Sequence, residues 1–118
     1  MKTLVLGASN NPSRYAYMVT ERLLHKGHEV VLFSNKKGEI FGQQFINDTE
    51  LVSEIDTVTM YLGARNQAQY EEFLLELKPR RVIFNPGAEN PELQQKLIDN
   101  GTDAFEACTL VMLGSSQF

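Results

Sequence analysis

Short apolar runs alternate with stretches of helical periodicity along the whole chain, and this alternation limits the fold more than any other feature. We predict strands over 3–6, 29–33, 57–62, 81–84 and 104–105, helices over 13–26, 66–77, 91–100 and 108–113, and a helical turn over 51–55. Strands that alternate with helices need crossover connections, which give a parallel sheet covered on both faces. The sequence therefore predicts a three-layer α/β domain with a doubly wound, five-stranded parallel sheet in the order 3-2-1-4-5.

The size and charge of the chain exclude several classes of protein. A chain of 118 residues, 42% of them hydrophobic, suffices for one domain spanning 1–118 and leaves no room for a second. A net charge of −4 does not suit a surface that coats nucleic acid, although a few cations can still form a local anion site. No apolar stretch approaches the roughly 20 residues of a membrane span, and the one cysteine, Cys108, cannot form an internal disulfide. We therefore expect a cytoplasmic protein that binds neither nucleic acid nor a membrane.

The turn between the first strand and the first helix, GASNNPSR at 7–14, has the composition of a phosphate-binding turn. Gly7 permits a sharp turn and a close approach of backbone N–H groups to an anion, and the following helix presents the positive end of its dipole. Arg14 lies in the first turn of that helix and can form two hydrogen bonds with one phosphate. Two of the three glycines of the G-x-G-x-x-G motif are absent, so an ordinary strand-to-helix turn is the alternative.

A basic loop follows the second strand. Ser34, Asn35, Lys36 and Lys37 stand where NAD-binding proteins usually carry an acidic residue that binds the ribose hydroxyls. Two lysines suit a phosphate on the ribose, as in the 2′-phosphate of NADP or the 3′-phosphate of coenzyme A; a solvated basic loop is the alternative. The crossover direction reverses beside strand 1, which predicts a ligand site at the carboxyl ends of the strands there. The two loops together indicate a phosphate-rich nucleotide.

The remaining reactive residues give weaker indications. Cys108 follows the last strand at the predicted start of the terminal helix, which favours a thiolate, but a lone cysteine is more often a small buried hydrophobe. His25 and His28 fall at the opposite edge of the sheet, which indicates surface residues. Because no nucleophile–base set, paired carboxylates or zinc-ligand spacing emerges, the sequence favours a binding or regulatory module over an enzyme.

Four motifs resemble those of the small bacterial CoA-binding proteins, which are similar to the N-terminal CoA-binding domain of the succinyl-CoA synthetase alpha subunit. The motifs are LGASNNPSRY at 6–15, SNKKG at 34–38, IFG at 40–42 and PGAEN at 86–90, followed by Cys108. The resemblance implies a Rossmann-like fold in which the first turn holds phosphates and residues 34–37 hold the phosphorylated adenosine. Gly42, Gly87 and Ala88 would shape the rest of the site. Ligase activity is not implied, because the phosphorylated histidine of the synthetase lies in a further domain.

These interpretations lead to one main hypothesis and two alternatives. The main hypothesis is a non-catalytic module that binds coenzyme A or an acyl-CoA, with a homodimer or an unidentified protein partner left open. A small NADP-dependent oxidoreductase built on the same loops is one alternative, and a structural domain without a ligand is the other. The candidate ligand-binding residues are Gly7, Ala8, Ser9, Asn10, Asn11, Pro12, Arg14, Tyr15, Ser34, Asn35, Lys36, Lys37, Gly42, Gly87 and Ala88. No catalytic or metal-binding residue is predicted.

Overall fold

A computed structural model describes residues 2–118 and contains a five-stranded parallel sheet between two layers of helices. The strands are β1 (Lys2–Leu6), β2 (Glu29–Phe33), β3 (Glu39–Ile40), β4 (Gln43–Gln44), β5 (Thr57–Met60), β6 (Arg81–Phe84) and β7 (Asp103–Glu106). The helices are α1 (Tyr15–His25), α2 (Ala64–Gln67), α3 (Glu71–Leu77), α4 (Pro91–Asp99) and α5 (Thr109–Gly114). Strands β3 and β4 form a separate hairpin, and the sheet has the order β2-β1-β5-β6-β7. The predicted α/β class and Rossmann-like architecture are confirmed.

The strand order matches the predicted 3-2-1-4-5 pattern. However, the segment that lies outside β2, at the place labelled 3, is not the predicted one. The prediction placed 57–62 outside β2, which is wrong, because β5 pairs with the other side of β1. Ile46 takes the place outside β2: it forms a single parallel bridge with Phe33, and its backbone bonds to Leu32 and Ser34. The segment after β2 is long enough to return to the sheet edge before the chain crosses to β5. A search for apolar runs does not find this segment, because only one of its residues pairs with the sheet.

The sheet is buried on both faces, as its near-continuous apolar strands predict. Leu4 and Leu6 of β1 pack on one face with α3 and α4, whereas Val5 between them packs on the other face with α1 and α5. The helix residues in these two clusters include Leu74, Leu93 and Leu97 on the first face and Val19, Leu23 and Leu113 on the second. This alternation follows from the pleat of a strand.

Capping residues and glycines mark the start of α4 and the end of α1. Asn90 Oδ1 accepts a hydrogen bond from the Leu93 N–H, and Pro91 is the first residue of α4, as predicted. Gly27 follows α1 with a φ of +84°, a conformation that favours glycine and is common where a helix ends. Helix α1 begins at Tyr15, two residues later than predicted. None of the helices within residues 2–118 has the length and apolar character needed to cross a membrane.

Two predicted helical elements differ in the structure. The single helix over 66–77 is wrong, because a 3₁₀ turn at Ala68–Tyr70 separates α2 from α3. The turn over 51–55 is also wrong, because the 3₁₀ helix lies at Thr49–Leu51. In both segments the apolar spacing is compatible with either kind of winding, so the pattern does not report the break. The break matters for the site because α2 and the 3₁₀ turn lie at its rim.

Candidate functional site

A cleft of about 980 Å³ lies at the carboxyl edge of the sheet, where the connections reverse direction between β1 and β5. Four segments line it: the turn after β1, the loop after β2, the segment from β5 into α2 and the following 3₁₀ turn, and the turn after β6. Open α/β sheets bind their ligands at this position. The volume is at the upper end of the range of roughly 300–1,000 Å³ for small-molecule sites. The predicted edge therefore has room for a nucleotide with a long substituent.

The turn after β1 depends on Gly7. Its φ of +102° lies in the left-handed region, and a Cβ there would come within 3.2 Å of Leu62 N and of Tyr61 C. The amide groups of Gly7 and Ala8 both donate to the Phe33 carbonyl, at 3.0 and 2.9 Å. Contrary to expectation, the Gly7 amide is therefore not available to an anion. The turn needs glycine for its conformation and close packing, and the amide joins β1 to β2.

The residues between Gly7 and α1 form hydrogen bonds with one another, and several backbone N–H groups here and at the start of α1 have no partner in the described part of the chain. Ser9 Oγ accepts from the Asn11 N–H at 3.1 Å. Asn11 Oδ1 accepts from the Ser13 N–H and hydroxyl at 3.0 and 2.7 Å. Within residues 2–118, no protein acceptor receives the amide groups of Ser9, Asn10, Tyr15 and Ala16. Unpartnered amides at a helix N-terminus are suited to binding phosphate.

Arg14 occupies the N-cap position of α1 in an extended conformation, and its side chain makes no capping hydrogen bond. Ser, Thr, Asp and Asn stabilise this position, whereas a cation opposes the positive end of the helix dipole. The side chain of Arg14 is exposed and lines the cleft. Arg14 destabilises this end of α1 in the absence of a ligand. An anionic ligand that binds at the start of α1 would explain why an arginine stands there.

The basic loop after β2 is held by side chains that sequence analysis did not identify. Asn47 Nδ2 donates to the carbonyls of Ser34 and Lys36, at 2.8 and 2.9 Å. Gly38 lies against Phe45, whose ring would be 2.8 Å from a Cβ at that position. These contacts set the backbone of the loop, while the side chains of both lysines are exposed and line the cleft.

The charges on the cleft lining are all positive. Arg14, Lys36 and Lys37 line the cleft, and no Asp or Glu in the described part of the chain does so. The whole chain nevertheless has a net charge of −4. A concave surface with charges of one sign concentrates ligands of the opposite sign. The turn after β1 and the loop after β2 form one end of the cleft, the cationic end.

The segments after β5 and β6 form the other end of the cleft, the neutral end. The residues that line it are Tyr61, Leu62, Asn66, Gln69, Tyr70, Pro86 and Gly87. Gln67 is fully buried behind it and holds the two segments together. Its Nε2 donates to the carbonyls of Leu62 and Ala88 at 2.8 and 2.7 Å, and its Oε1 accepts from Asn90 Nδ2 at 3.1 Å. Internal hydrogen bonds thus fix the shape of this end.

Tyr61 connects the neutral end to a buried polar network. Asn85 Nδ2 donates to Thr59 Oγ1 at 2.8 Å, and Asn85 Oδ1 accepts from the Thr109 N–H at 2.8 Å. The hydroxyls of Thr59 and Thr109 are 2.8 Å apart and interact with the Tyr61 phenol. Burial raises the pKa of Tyr61 far above its ordinary value of 10, and this effect exceeds the opposite effect of the two hydroxyls. The phenol is therefore neutral at physiological pH.

The structure brings most of the candidate residues to the cleft. Those that line it are Gly7, Ala8, Ser9, Asn10, Asn11, Arg14, Tyr15, Ser34, Asn35, Lys36, Lys37 and Gly87. Pro12 does not line the cleft, and Gly42 lies in the turn of the β3–β4 hairpin with a φ of +78°. Ala88 is buried and contributes its carbonyl to the hydrogen bond with Gln67. Ala88 thus supports the rim through this hydrogen bond, whereas Gly42 lies outside the cleft lining.

Of the residues that line the neutral end, only Gly87 was predicted from the sequence. Tyr70 falls within the predicted helix over 66–77. Its ring packs edge-on against Phe33 with centroids 5.4 Å apart, and it also lines the cleft. Asn66 and Gln69 follow a strand at the switch point, which is the signal that could have identified them. Asn47 offers no such signal, because it is an isolated polar residue in an irregular segment.

The other reactive residues lie outside the cleft. Cys108 is half-buried at the N-cap of α5 and does not line the cleft. His25 is exposed, as predicted, whereas His28 is half-buried and packs against Phe118 with ring centroids 5.2 Å apart. Among residues 2–118, no group of three or more His, Cys, Asp or Glu could hold a metal ion.

Comparisons with known proteins find a matching family and several similar solved structures. A family model described as CoA binding domain matches residues 1–114. A crystal structure of an uncharacterized protein is 47% identical, with a TM-score of 0.96 over 99% of this chain and 97% of that one. The structure of cell-free ID.343 from Thermus thermophilus is 23% identical, with a TM-score of 0.87 over 99% and 90%.

A larger protein contains a similar domain. Dinucleotide forming acetyl-coenzyme A synthetase 1 from Ca. Korarchaeum cryptofilum, in its apo form, is 14% identical, with a TM-score of 0.72. The match covers 88% of this chain and 25% of that one. At this identity, as for the Thermus thermophilus protein, the likeness shows the fold alone. No curated protein matches the chain.

Proposed function

This chain belongs to the CoA binding domain family, and from that membership we propose that its cleft binds coenzyme A or an acyl-CoA. The observation that carries the proposal is the cationic end. There Arg14, Lys36 and Lys37, with no carboxylate in the lining, stand beside four amide groups that have no protein partner within residues 2–118. Unpartnered amides at a helix N-terminus and flexible cations are the groups that proteins use for phosphates. A ligand with several phosphates fits this arrangement best.

The two ends of the cleft suggest an orientation for coenzyme A. The molecule carries a diphosphate and a 3′-phosphate on one half, and its pantetheine half has no charge. We place the diphosphate beside Arg14 and the amides at the start of α1, and the 3′-phosphate near Lys36 and Lys37. The amide and hydroxyl groups of pantetheine would then lie along the neutral end, within reach of polar side chains such as Asn66 and Gln69.

The cleft lining favours binding or regulation over catalysis. Its titratable side chains, among the described residues, belong to arginine, lysine and tyrosine. General acid–base catalysis works best with a group whose pKa lies near the operating pH, and burial moves the pKa of Tyr61 away from that range. These groups are suited to holding charge and shape, so we propose a carrier, sensor or regulatory module.

NADP is the alternative ligand. Its 2′-phosphate would suit the same two lysines, and its diphosphate would suit the same helix N-terminus. We favour coenzyme A because the chain belongs to the CoA binding domain family and because the uncharged lining of the neutral end suits the uncharged pantetheine chain.

Isothermal titration calorimetry with five ligands tests the proposal: CoA, 3′-dephospho-CoA, NADP, NAD and AMP. Dephospho-CoA is the matched control, because it differs from CoA only in the 3′-phosphate. We expect CoA to bind most tightly, and dephospho-CoA to bind about tenfold more weakly because Lys36 and Lys37 lose their anion. Tighter binding of NADP than of CoA, or the absence of any CoA binding, would reject the proposal.

A pair of substitutions tests where the phosphates bind. Arg14→Ala combined with Lys36→Ala should weaken CoA binding by about tenfold or more, because two charge-assisted contacts are removed. The matched control is Arg22→Ala combined with Lys26→Ala, which removes two exposed cations that do not line the cleft. We expect the control pair to bind CoA within about twofold of the unchanged protein. An equal loss in both pairs would mean that net charge, and not this site, governs the affinity.

A further inference from the structure

The neutral end of the cleft has a carboxylate beside it. The Gly87 amide lines the cleft and donates to Glu89 Oε1 at 2.9 Å. Glu89 is exposed, so its negative charge stands at the surface of the turn after β6. An amide that could have received a ligand anion is therefore already bound to an anion of the protein. The charge beside this end is therefore negative, whereas the charges that line the cationic end are positive.

Two cations on this side of the sheet, Arg65 and Lys96, do not line the cleft. Arg65 lines a separate cavity of about 400 Å³ between α2 and α4, together with Glu71 and Glu92. Lys96 is paired with Glu71 at 3.1 Å. Within the described residues, the lining of the neutral end contains only uncharged side chains. A carboxylate of a ligand would find no positive partner there.

We propose that this cleft accepts the free thiol of coenzyme A or a short uncharged acyl thioester, and that it disfavours acyl groups that end in a carboxylate. This inference rests on the proposed function and on its orientation, which puts the acyl group at the neutral end. A terminal carboxylate in that place approaches Glu89 and loses water without gaining a cation. Such like-charge contacts are a common means of rejecting the wrong ligand.

Calorimetry with butyryl-CoA and succinyl-CoA tests the inference. Both acyl groups have four carbons, and they differ in a terminal methyl or carboxylate. We expect CoA, acetyl-CoA and butyryl-CoA to bind within about threefold of one another, and succinyl-CoA to bind about tenfold more weakly than butyryl-CoA. Equal affinities for butyryl-CoA and succinyl-CoA would overturn the inference and leave the proposed function standing. If none of the four binds, the proposed function fails and the inference fails with it.

A charge substitution tests the cause. Glu89→Gln keeps an oxygen that can accept from the Gly87 amide and removes the charge, so the ratio of the two affinities should fall at least about threefold. The control is Glu92→Gln, which makes the same change in net charge at an exposed residue outside the cleft and should leave the ratio unchanged. Asn66→Lys adds a cation to the neutral end and should favour succinyl-CoA. An unchanged ratio in Glu89→Gln would overturn the inference.

Discussion

The two ends of the cleft differ in whether their polar groups have hydrogen-bond partners within the protein. At the cationic end, four amides and three cations have no protein partner within residues 2–118. At the neutral end, Gln67 binds the carbonyls of Leu62 and Ala88, and Glu89 binds the Gly87 amide. Satisfied polar groups stabilise the folded chain, whereas groups without a partner are available to a ligand. Loss of these hydrogen bonds at the neutral end should therefore reduce stability, and loss of the cations at the cationic end should reduce ligand affinity.

The largest expected effect is that of Gln67→Leu at the neutral end. Because two carbonyls lose their donor and Asn90 loses its acceptor, the free energy of unfolding should fall by about 3 kcal/mol. Urea denaturation of the ligand-free protein measures it. The matched control is Gln69→Leu, an exposed position on the same segment, which should change stability by less than about 0.5 kcal/mol. Equal stability of the two variants would contradict the role assigned to Gln67.

The second prediction concerns Arg14, where stability and affinity should move in opposite directions. Arg14→Ser supplies the missing cap of α1 and removes a cation from the positive end of its dipole, so the ligand-free protein should gain about 1 kcal/mol. Its affinity for CoA should fall about tenfold, because a charge-assisted phosphate contact is lost. Denaturation and calorimetry measure the two quantities.

A matched variant separates the two effects at this position. Arg14→Ala removes the cation without adding a cap, and it should lose the same affinity with less gain in stability. If Arg14→Ser is more stable and binds CoA as tightly as the unchanged protein, the phosphates do not bind at the start of α1.

The smallest expected effect extends the comparison to the amino edge of the sheet, where ionic groups are paired. Arg80 binds both oxygens of Asp56, at 2.9 and 3.0 Å, and these hydrogen bonds hold the pKa of Asp56 below its ordinary value of 3.8. The pair therefore stabilises the fold above pH 3.8, and this contribution is lost as the pH falls through the lower folded value. Because the pair is partly exposed, it should contribute less than about 1 kcal/mol.

The substitution Asp56→Asn measures this contribution. Near pH 6 the variant should be slightly less stable than the unchanged protein, and the difference should shrink as the pH is lowered below 3.8, because the unchanged protein loses its carboxylate. Denaturation at a series of pH values checks it. A difference that grows in acid would contradict the assigned pair.

The strands of the five-stranded sheet and the basic residues of the cationic end could be predicted because their signals are local, whereas the short strands β3 and β4 were not predicted. Glu29–Phe33 and Arg81–Phe84 have the predicted bounds, since a strand buried on both faces is an uninterrupted apolar run. The basic residues 34–37 follow one such run, and the carboxyl end of a parallel strand lies at the ligand edge. The break at Ala68–Tyr70 was not predictable, because it accompanies the bonds that Gln67 makes to segments before and after it.

The sequence by itself determined the layers of this protein and the positive charge at one place on its sheet edge. Apolar periodicity selects which residues must leave water, and the positions of strand ends along the chain select which loops share an edge. Only the tertiary structure decided that Ile46 lies beside β2, that the Gly7 amide is occupied, and that Glu89 stands at the neutral end. These features depend on contacts between residues distant in sequence or on the path of a turn, and short-range patterns carry no information about either.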